Sequence, residues 1–357
     1  MRNIEFHNRE NEIKEIRAIL DSRPTLITFI YGPINSGKTE LINNLMKSLP
    51  ETQKVFYINL RGRFISNYDE FIKVLFDVEH EERYGRIREF LKPIVNVLPD
   101  SYSGIPIPKD MFLKLFKEKD VEDAFVYIET VLRAFCESGR APPVLVIDEL
   151  QVIGDLKVDG LLIYKLFNFF IRLTKELHLA HVFAATSDSL AIVDVYSEAM
   201  LDGRCRYLLV DDFDYETTAA FLGKYGFTDD EKSVAWEYCG GKPGCLVELI
   251  CSDEKDRAAK KMLTTKVSQL KDLLDYLNYT KPRITIGEDT YMVEKEDVVS
   301  ILKRFIDAEC IDDEGLNRPA KHFLIKDNIL FLDPDIGIIK PQSRLNLLAV
   351  RKVIANV

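Results

Sequence analysis

The sequence predicts an α/β fold built on a parallel sheet, and three observations predict it. Residues 26–39 read LITFIYGPINSGKT: an apolar, β-prone run breaks into a glycine-bounded turn, and a helical pattern follows. Further apolar runs recur at 54–60, 144–150, 181–190 and 206–210, with helical patterns between them. Strands apolar on both faces and separated by helices are the mark of right-handed crossovers in a parallel sheet, where a ligand sits at the carboxyl ends of the strands.

The turn after the first run, Gly32-Pro33-Ile34-Asn35-Ser36-Gly37-Lys38-Thr39, fits G-x-x-x-x-G-K-[ST]. In that pattern glycines let successive main-chain N–H groups converge on an anion, and the next helix adds the positive end of its dipole. The expected nucleotide contacts are Gly32, Pro33, Asn35, Ser36, Gly37, Lys38, Thr39 and Glu40. Lys38 carries charge to the β- and γ-phosphates, and Thr39 offers a hydroxyl to Mg2+.

The third run, VLVIDEL, follows Ala141-Pro142-Pro143 and ends in Asp148-Glu149. A carboxylate at the end of a buried strand is costly without a cation or partner. Beside a phosphate-binding turn the economical partner is Mg2+, held by Asp148 with Thr39, while Glu149 polarises an attacking water. Thr186, Ser187 or Asp188 ends the fourth run. A polar group there reports a γ-phosphate, provided that strand lies between the first and third.

The remaining segments fill in the architecture. Residues 1–22 form an amphipathic helix with Asn8 as its cap. Between 61 and 140 helical patterns stand at 68–78, 83–92, 109–117 and 121–137, broken by an exposed loop, LPDSYSGIPIP, at 98–108. Asp214 caps a helix in an all-helical module that contains Gly240-Gly241-Lys242-Pro243-Gly244 and acts as a lid. From 264 the pattern reads helix, β-like run, helix (296–307), then HFLIKDNILFLD as a hairpin turning at 326–328, and a last helix at 342–356. Helices followed by a hairpin indicate a winged helix. The domains expected are an ATPase core at 1–210, a lid at 211–262 and a winged helix at 263–357.

With 357 residues, two or three domains are expected. No apolar run reaches the ~18 residues of a membrane span, and the N-terminus lacks a signal-peptide core, so a cytoplasmic chain without a membrane partner is expected. The six cysteines lack zinc-site spacing and read as reduced, mostly buried thiols. A net charge of −10 argues against bulk affinity for nucleic acid.

These motifs in this order resemble the archaeal ATPases of the STAND class in the AAA+ superfamily, over nearly the whole chain. Phe6-x-x-Arg9-Glu10-x-Glu12 is similar to the family's F-x-x-R-E-x-E, which implies that Phe6 and Arg9 lie near adenine. GPINSGKT and VLVIDEL resemble Walker A and Walker B. Thr186-Ser187 stands where the family has Gly-Ser at the tip of the fourth strand, which implies a phosphate sensor at Ser187 or, since a hydroxyl replaces the glycine, at Thr186. Asp202-Gly203-Arg204 resembles a G-R pair whose arginine senses the γ-phosphate, and Gly241-x-Pro243 resembles a lid motif whose proline packs near the base. Two departures stand out: Thr186 replaces the usual glycine, and the lid carries no sensor arginine. The resemblance implies a P-loop sheet in the order 5-1-4-3-2, a helical lid and a winged helix. It also implies an ATP/ADP switch in which ADP holds a closed state and ATP promotes opening or self-association.

Three functions are therefore expected in turn. The first is a Mg2+-dependent ATPase switch using Lys38, Thr39, Asp148, Glu149 and Arg204. The second is a DNA-binding ATPase like the origin-recognition proteins, although 264–357 holds 14 Lys/Arg against 15 Asp/Glu. The third is a nucleotide-dependent scaffold with negligible hydrolysis and a protein partner. A GTPase is disfavoured, because no N-K-x-D motif is present.

Overall fold

The computed structural model describes residues 4–50, 52–62, 65–79, 101–118, 120–138, 141–153, 162–190, 192, 201–286 and 289–355; the helix expected at 83–92 lies outside them. Strands β1 (Ile27–Tyr31), β2 (Val55–Asn59), β6 (Val144–Asp148), β7 (His181–Thr186) and β8 (Cys205–Leu209) form a parallel sheet. Across the sheet they run β8-β1-β7-β6-β2, which is the order 5-1-4-3-2 expected for the five long runs.

Side chains alternate between two apolar layers, as strand geometry requires. Ile27, Phe29, Phe56, Ile58, Leu145 and Ile147 face the helices Val121–Glu137 and Leu162–Ile171. Ile30, Val55, Val146, Phe183 and Leu208 face the helices Glu10–Leu20 and Lys38–Ser48. Both faces are covered, so the strands read as continuous apolar runs.

Three expectations are corrected here. Residues 101–108 are strands rather than an exposed loop: β4 (Ser101–Tyr102) pairs with β2, and β5 (Ile105–Pro108) pairs with β3 (Phe76–Glu79). Ile105 and Ile107 are fully buried, so the side chains between the prolines anchor the segment to the core. The first helix has no side-chain cap from Asn8; it starts at Glu10, after Asn8 and Arg9 both take left-handed backbone conformations. The cysteines are free, but only Cys239 is fully buried; Cys251 and Cys310 are exposed.

Beyond β8 come the helices Tyr215–Lys224, Asp229–Cys239 and Pro243–Cys251, the first capped by Asp214 as expected. The helix Lys255–Tyr279 runs unbroken through position 262. Its Ala259 packs with the lid helices, while Val267, Leu270, Leu274 and Leu277 belong to the C-terminal cluster. That cluster draws on β9 (Arg283–Ile286), whose hairpin partner β10 (Asp289–Met292) is exposed, on the helix Lys295–Lys303, and on a sheet of β11 (Ile311–Asp312), β13 (Ile338–Pro341) and β12 (Leu330–Asp333), closed by the helix Arg344–Ile354.

The hairpin expected to turn at 326–328 is likewise corrected. HFLI belongs to the helix Arg318–Lys326, started by the Asn317 side chain accepting from Ala320 N–H with Pro319 in the first turn, and the hairpin is β12–β13. The two cores interlock. Phe331 packs into the cluster under the main sheet and stacks on Tyr31 at 6.3 Å, while Leu190, past the end of β7, packs into the C-terminal cluster.

Candidate functional site

The turn after β1 is shaped by two glycines. A Cβ on Gly32 would stand 2.2 Å from the Val210 carbonyl oxygen, where the chain leaving β8 crosses it. Gly37 has φ +98° and precedes the helix Lys38–Ser48, whose first-turn N–H groups have no intrahelical acceptor. Lys38 is 6% exposed, and its Nζ donates back to the carbonyls of Gly32 (3.0 Å) and Pro33 (2.9 Å). Burial, helped by the charge of Lys242, pushes the Lys38 ammonium down to about 8, against the pull of Glu149 and Asp148. Ser36 Oγ is buried with no hydrogen-bond partner among the described residues. An under-paired buried cation and a free hydroxyl in a cradle of N–H groups fit a bound phosphate chain.

Thr39 Oγ1 donates to Asp148 Oδ2 across 3.0 Å, so the turn and the end of β6 meet as the sequence required. Tyr57 on β2 donates to the same oxygen at 2.8 Å, and Glu149 N–H donates to Oδ1 at 3.0 Å. A hydroxyl facing a carboxylate is a donor set that suits Mg2+. Glu149 takes a left-handed conformation, φ 62°, which turns the chain sharply off the strand. Its carboxylate accepts from Gln151 Nε2 at 2.6 Å and lies 3.5 Å from Arg61 Nε.

β7 lies between β1 and β6, which puts its end beside these carboxylates. Thr186, rather than Ser187, enters the network: its Oγ1 donates to Gln151 Oε1 at 2.7 Å. Arg204 stands apart from this site. It precedes β8, and its carbonyl accepts from Ile27 N–H at the amino end of β1. β8 runs parallel to β1, so Arg204 sits a full strand length from Gly32 and cannot reach a phosphate held by its own chain.

On the other flank, Arg9 is 6% exposed and donates to the carbonyls of Ser36 (2.7 Å) and Asp211 (2.6 Å), with its guanidinium 4.7 Å from the Phe213 ring centre. It ties the phosphate turn to the segment entering the lid. Phe6 packs against the layer of helices Glu10–Leu20 and Lys38–Ser48. Glu40 is exposed in the first helical turn. Pro243 opens the helix Pro243–Cys251, and the next residue, Gly244, donates its N–H to the Asn35 carbonyl at 3.4 Å.

Sequence reasoning missed several residues at this site. Lys242, 3% exposed, pairs with Asp212 at 2.8 Å and donates to the Ile34 carbonyl at 3.1 Å. It supplies a lid cation at the phosphate turn, and its place inside Gly-Gly-Lys-Pro-Gly was the available signal. Tyr57, Arg61, Gln151 and Gln342 carried no local signal. Among the described residues no group of three or more His, Cys, Asp or Glu forms a metal cluster, and no helix is long and apolar enough to cross a membrane.

Fold and site together define a P-loop protein of the ATPase type. Residues 6–249 match the family described as an ATPase domain predominantly from Archaea, and the chain belongs to that family. Residues 256–354 match the C-terminal domain described for uncharacterized MJ1010-like ATP-binding proteins. The chain is 43% identical to the uncharacterized ATP-binding protein PYRAB09480 of Pyrococcus abyssi, over 98% of each chain. It is 42% identical to the uncharacterized ATP-binding protein MJ0074 of Methanocaldococcus jannaschii, over 98% of this chain and 100% of the other. Among solved structures, the Walker-type ATPase paby2304 of Pyrococcus abyssi shares the fold, with a TM-score of 0.64 at 18% identity over 98% and 97% of the two chains.

Proposed function

We propose that the chain is a Mg2+-dependent ATP-binding and ATP-hydrolysing switch of the STAND kind, with an ATPase core at 1–210, a lid at 211–262 and a winged helix at 263–357. The observation that carries the reading is the 3.0 Å contact between Thr39 and Asp148 beside the buried ammonium of Lys38. When bound, Mg2+ neutralises charge on the phosphates. Lys38 and the N–H groups at 35–40 bind and orient the phosphate chain. Thr39 and Asp148 hold the metal, and Glu149 takes the proton of the attacking water. Arg9, Phe6 and Pro243 line the approach of the base.

The switch part rests on the C-terminal hairpin, which reaches the phosphate turn. Gln342 Oε1 accepts from Ile34 N–H at 3.0 Å, Lys340 pairs with Asp211, and Tyr31 donates to Asp333 at 2.7 Å. Opening of these contacts exposes the turn and a surface for self-association or a protein partner.

A slow-turnover scaffold is the second reading, favoured by one observation: both Glu149 oxygens are engaged, by Gln151 and by Arg61. The DNA-binding reading has less support, because the C-terminal domain that would carry it has no excess of positive charge, with 14 Lys/Arg against 15 Asp/Glu over 264–357. Turnover of ATP with and without Mg2+, in the wild type and in Glu149→Gln, tests the proposal. The expected result is a loss of about 100-fold or more in Glu149→Gln, with ATP affinity retained. Equal turnover in the two proteins removes Glu149 from the chemistry.

A further inference from the structure

We infer that Gln151 is a positioning residue that joins the end of β7 to the Glu149 carboxylate and selects which carboxylate oxygen meets the attacking water; this rests on the proposed ATPase reading. Gln151 lies in the short helical turn Leu150–Ile153 that follows β6. A carboxamide presents a donor and an acceptor on one rigid plane. Here Nε2 donates to Glu149 Oε2 at 2.6 Å, and Oε1 accepts from Thr186 Oγ1 at 2.7 Å.

The direction of this chain is fixed at both ends. A carboxylate only accepts, so the NH2 side of the amide must face Glu149. Thr186 Oγ1 accepts from Asp188 N–H at 3.0 Å, and of the two acceptors near its single proton, Gln151 Oε1 at 2.7 Å is closer than the Asp188 carbonyl at 3.4 Å, so the shorter bond runs to Gln151. Phe29, Leu150, Ile163 and Phe167 wall the Gln151–Thr186 pair, and low-polarity surroundings strengthen such bonds.

Two consequences follow. With Oε2 held by Gln151, the oxygen left for a water is Oε1, on the side of Arg61, whose side chain is 61% exposed and whose hold is correspondingly weak. Thr186 is also in register with Tyr31, the residue before Gly32. A shift at the root of the phosphate turn therefore reaches Glu149 through one backbone ladder and two side-chain hydrogen bonds.

The test uses the full chain with Gln151→Ala, Thr186→Val, Thr186→Ser and the double variant Gln151→Ala/Thr186→Val. Gln151→Ala is expected to lower kcat about tenfold with ATP affinity within about twofold. Thr186→Val gives a similar loss and Thr186→Ser retains activity. The double variant loses no more than Gln151→Ala, because one chain is broken once. Losses that multiply, or that follow ATP affinity, overturn the inference. A readout independent of turnover is the Gln151 side-chain amide NMR signal, assigned by its absence in Gln151→Ala. It is expected to move in both Glu149→Ala and Thr186→Val, and a signal indifferent to both overturns the relay. If the wild type turns over ATP no faster than Glu149→Gln, the ATPase reading fails, and the amide signal still decides the relay.

Discussion

The Ile34 main-chain N–H, inside the phosphate turn, donates to Gln342 Oε1, 308 residues further along the chain, at 3.0 Å. The other end of the Gln342 amide donates to the Leu330 carbonyl at 3.1 Å, so the side chain is held between the C-terminal hairpin and the turn. Gln342→Ala leaves the Ile34 N–H unpaired and weakens that closure by about 1 kcal/mol. Release of a fluorescent ADP analogue is then expected to speed up about fivefold. An unchanged release rate separates this contact from nucleotide exchange.

The second tie between the cores is buried. Tyr31 donates to Asp333 Oδ1 at 2.7 Å, and burial with the neighbouring carboxylate pushes the phenol well above its usual range. Tyr31→Phe removes a hydrogen bond to a carboxylate that is 6% exposed. A loss of about 1.5–3 kcal/mol in urea unfolding is expected. A midpoint equal to wild type means that the two cores unfold independently of this contact.

The extent to which these features were legible follows from their range. The inner strands β1, β6 and β7 were readable because burial on both faces removes alternation from the sequence, and the turn at 32–39 because its chemistry is local. HFLI is a histidine and three apolar residues, a run that helix and strand accept equally; the cap and proline at 317–319 held the deciding information. For Arg204 the strand direction already implied part of the answer: a residue before a parallel strand lies at its amino end, away from the ligand of its own chain, which leaves only a phosphate on a neighbouring copy within its reach. Gln342 reaches Ile34 and Gln151 reaches Thr186 across separations that no short window of sequence brings together.

The start of the lid packs on its own Gly-Gly-Lys-Pro-Gly segment through a glycine with no room for a side chain. The Phe213 N–H donates to the Gly241 carbonyl oxygen at 2.9 Å. A Cβ at 241 would stand 1.7 Å from the Phe213 carbonyl oxygen. Backbone must move to admit it, so Gly241→Ala is expected to cost about 3 kcal/mol and to loosen Lys242 from Ile34. Denaturation should show the loss, and ATP affinity should fall with it. A fully stable Gly241→Ala that binds ATP normally contradicts this packing.

Nucleotide binding is expected to take up a proton at alkaline pH, through Lys38. In the nucleotide-free protein burial lowers this ammonium to about 8, from an ordinary value of 10.5. Between those values the unfolded chain binds a proton that the folded chain has shed. Folding stability of the free protein therefore rises with pH across that window. A bound polyphosphate reverses the balance, because it favours the charged form. Below about pH 8 binding moves no proton at this site. Above it, binding takes up to one proton, and affinity falls by as much as about tenfold per pH unit. Calorimetry at about pH 7 and about pH 9, in two buffers of different ionisation enthalpy, reads the proton count directly. Lys38→Arg keeps its charge throughout and is expected to bind without uptake. Equal uptake in Lys38→Arg and the wild type assigns the proton to another group.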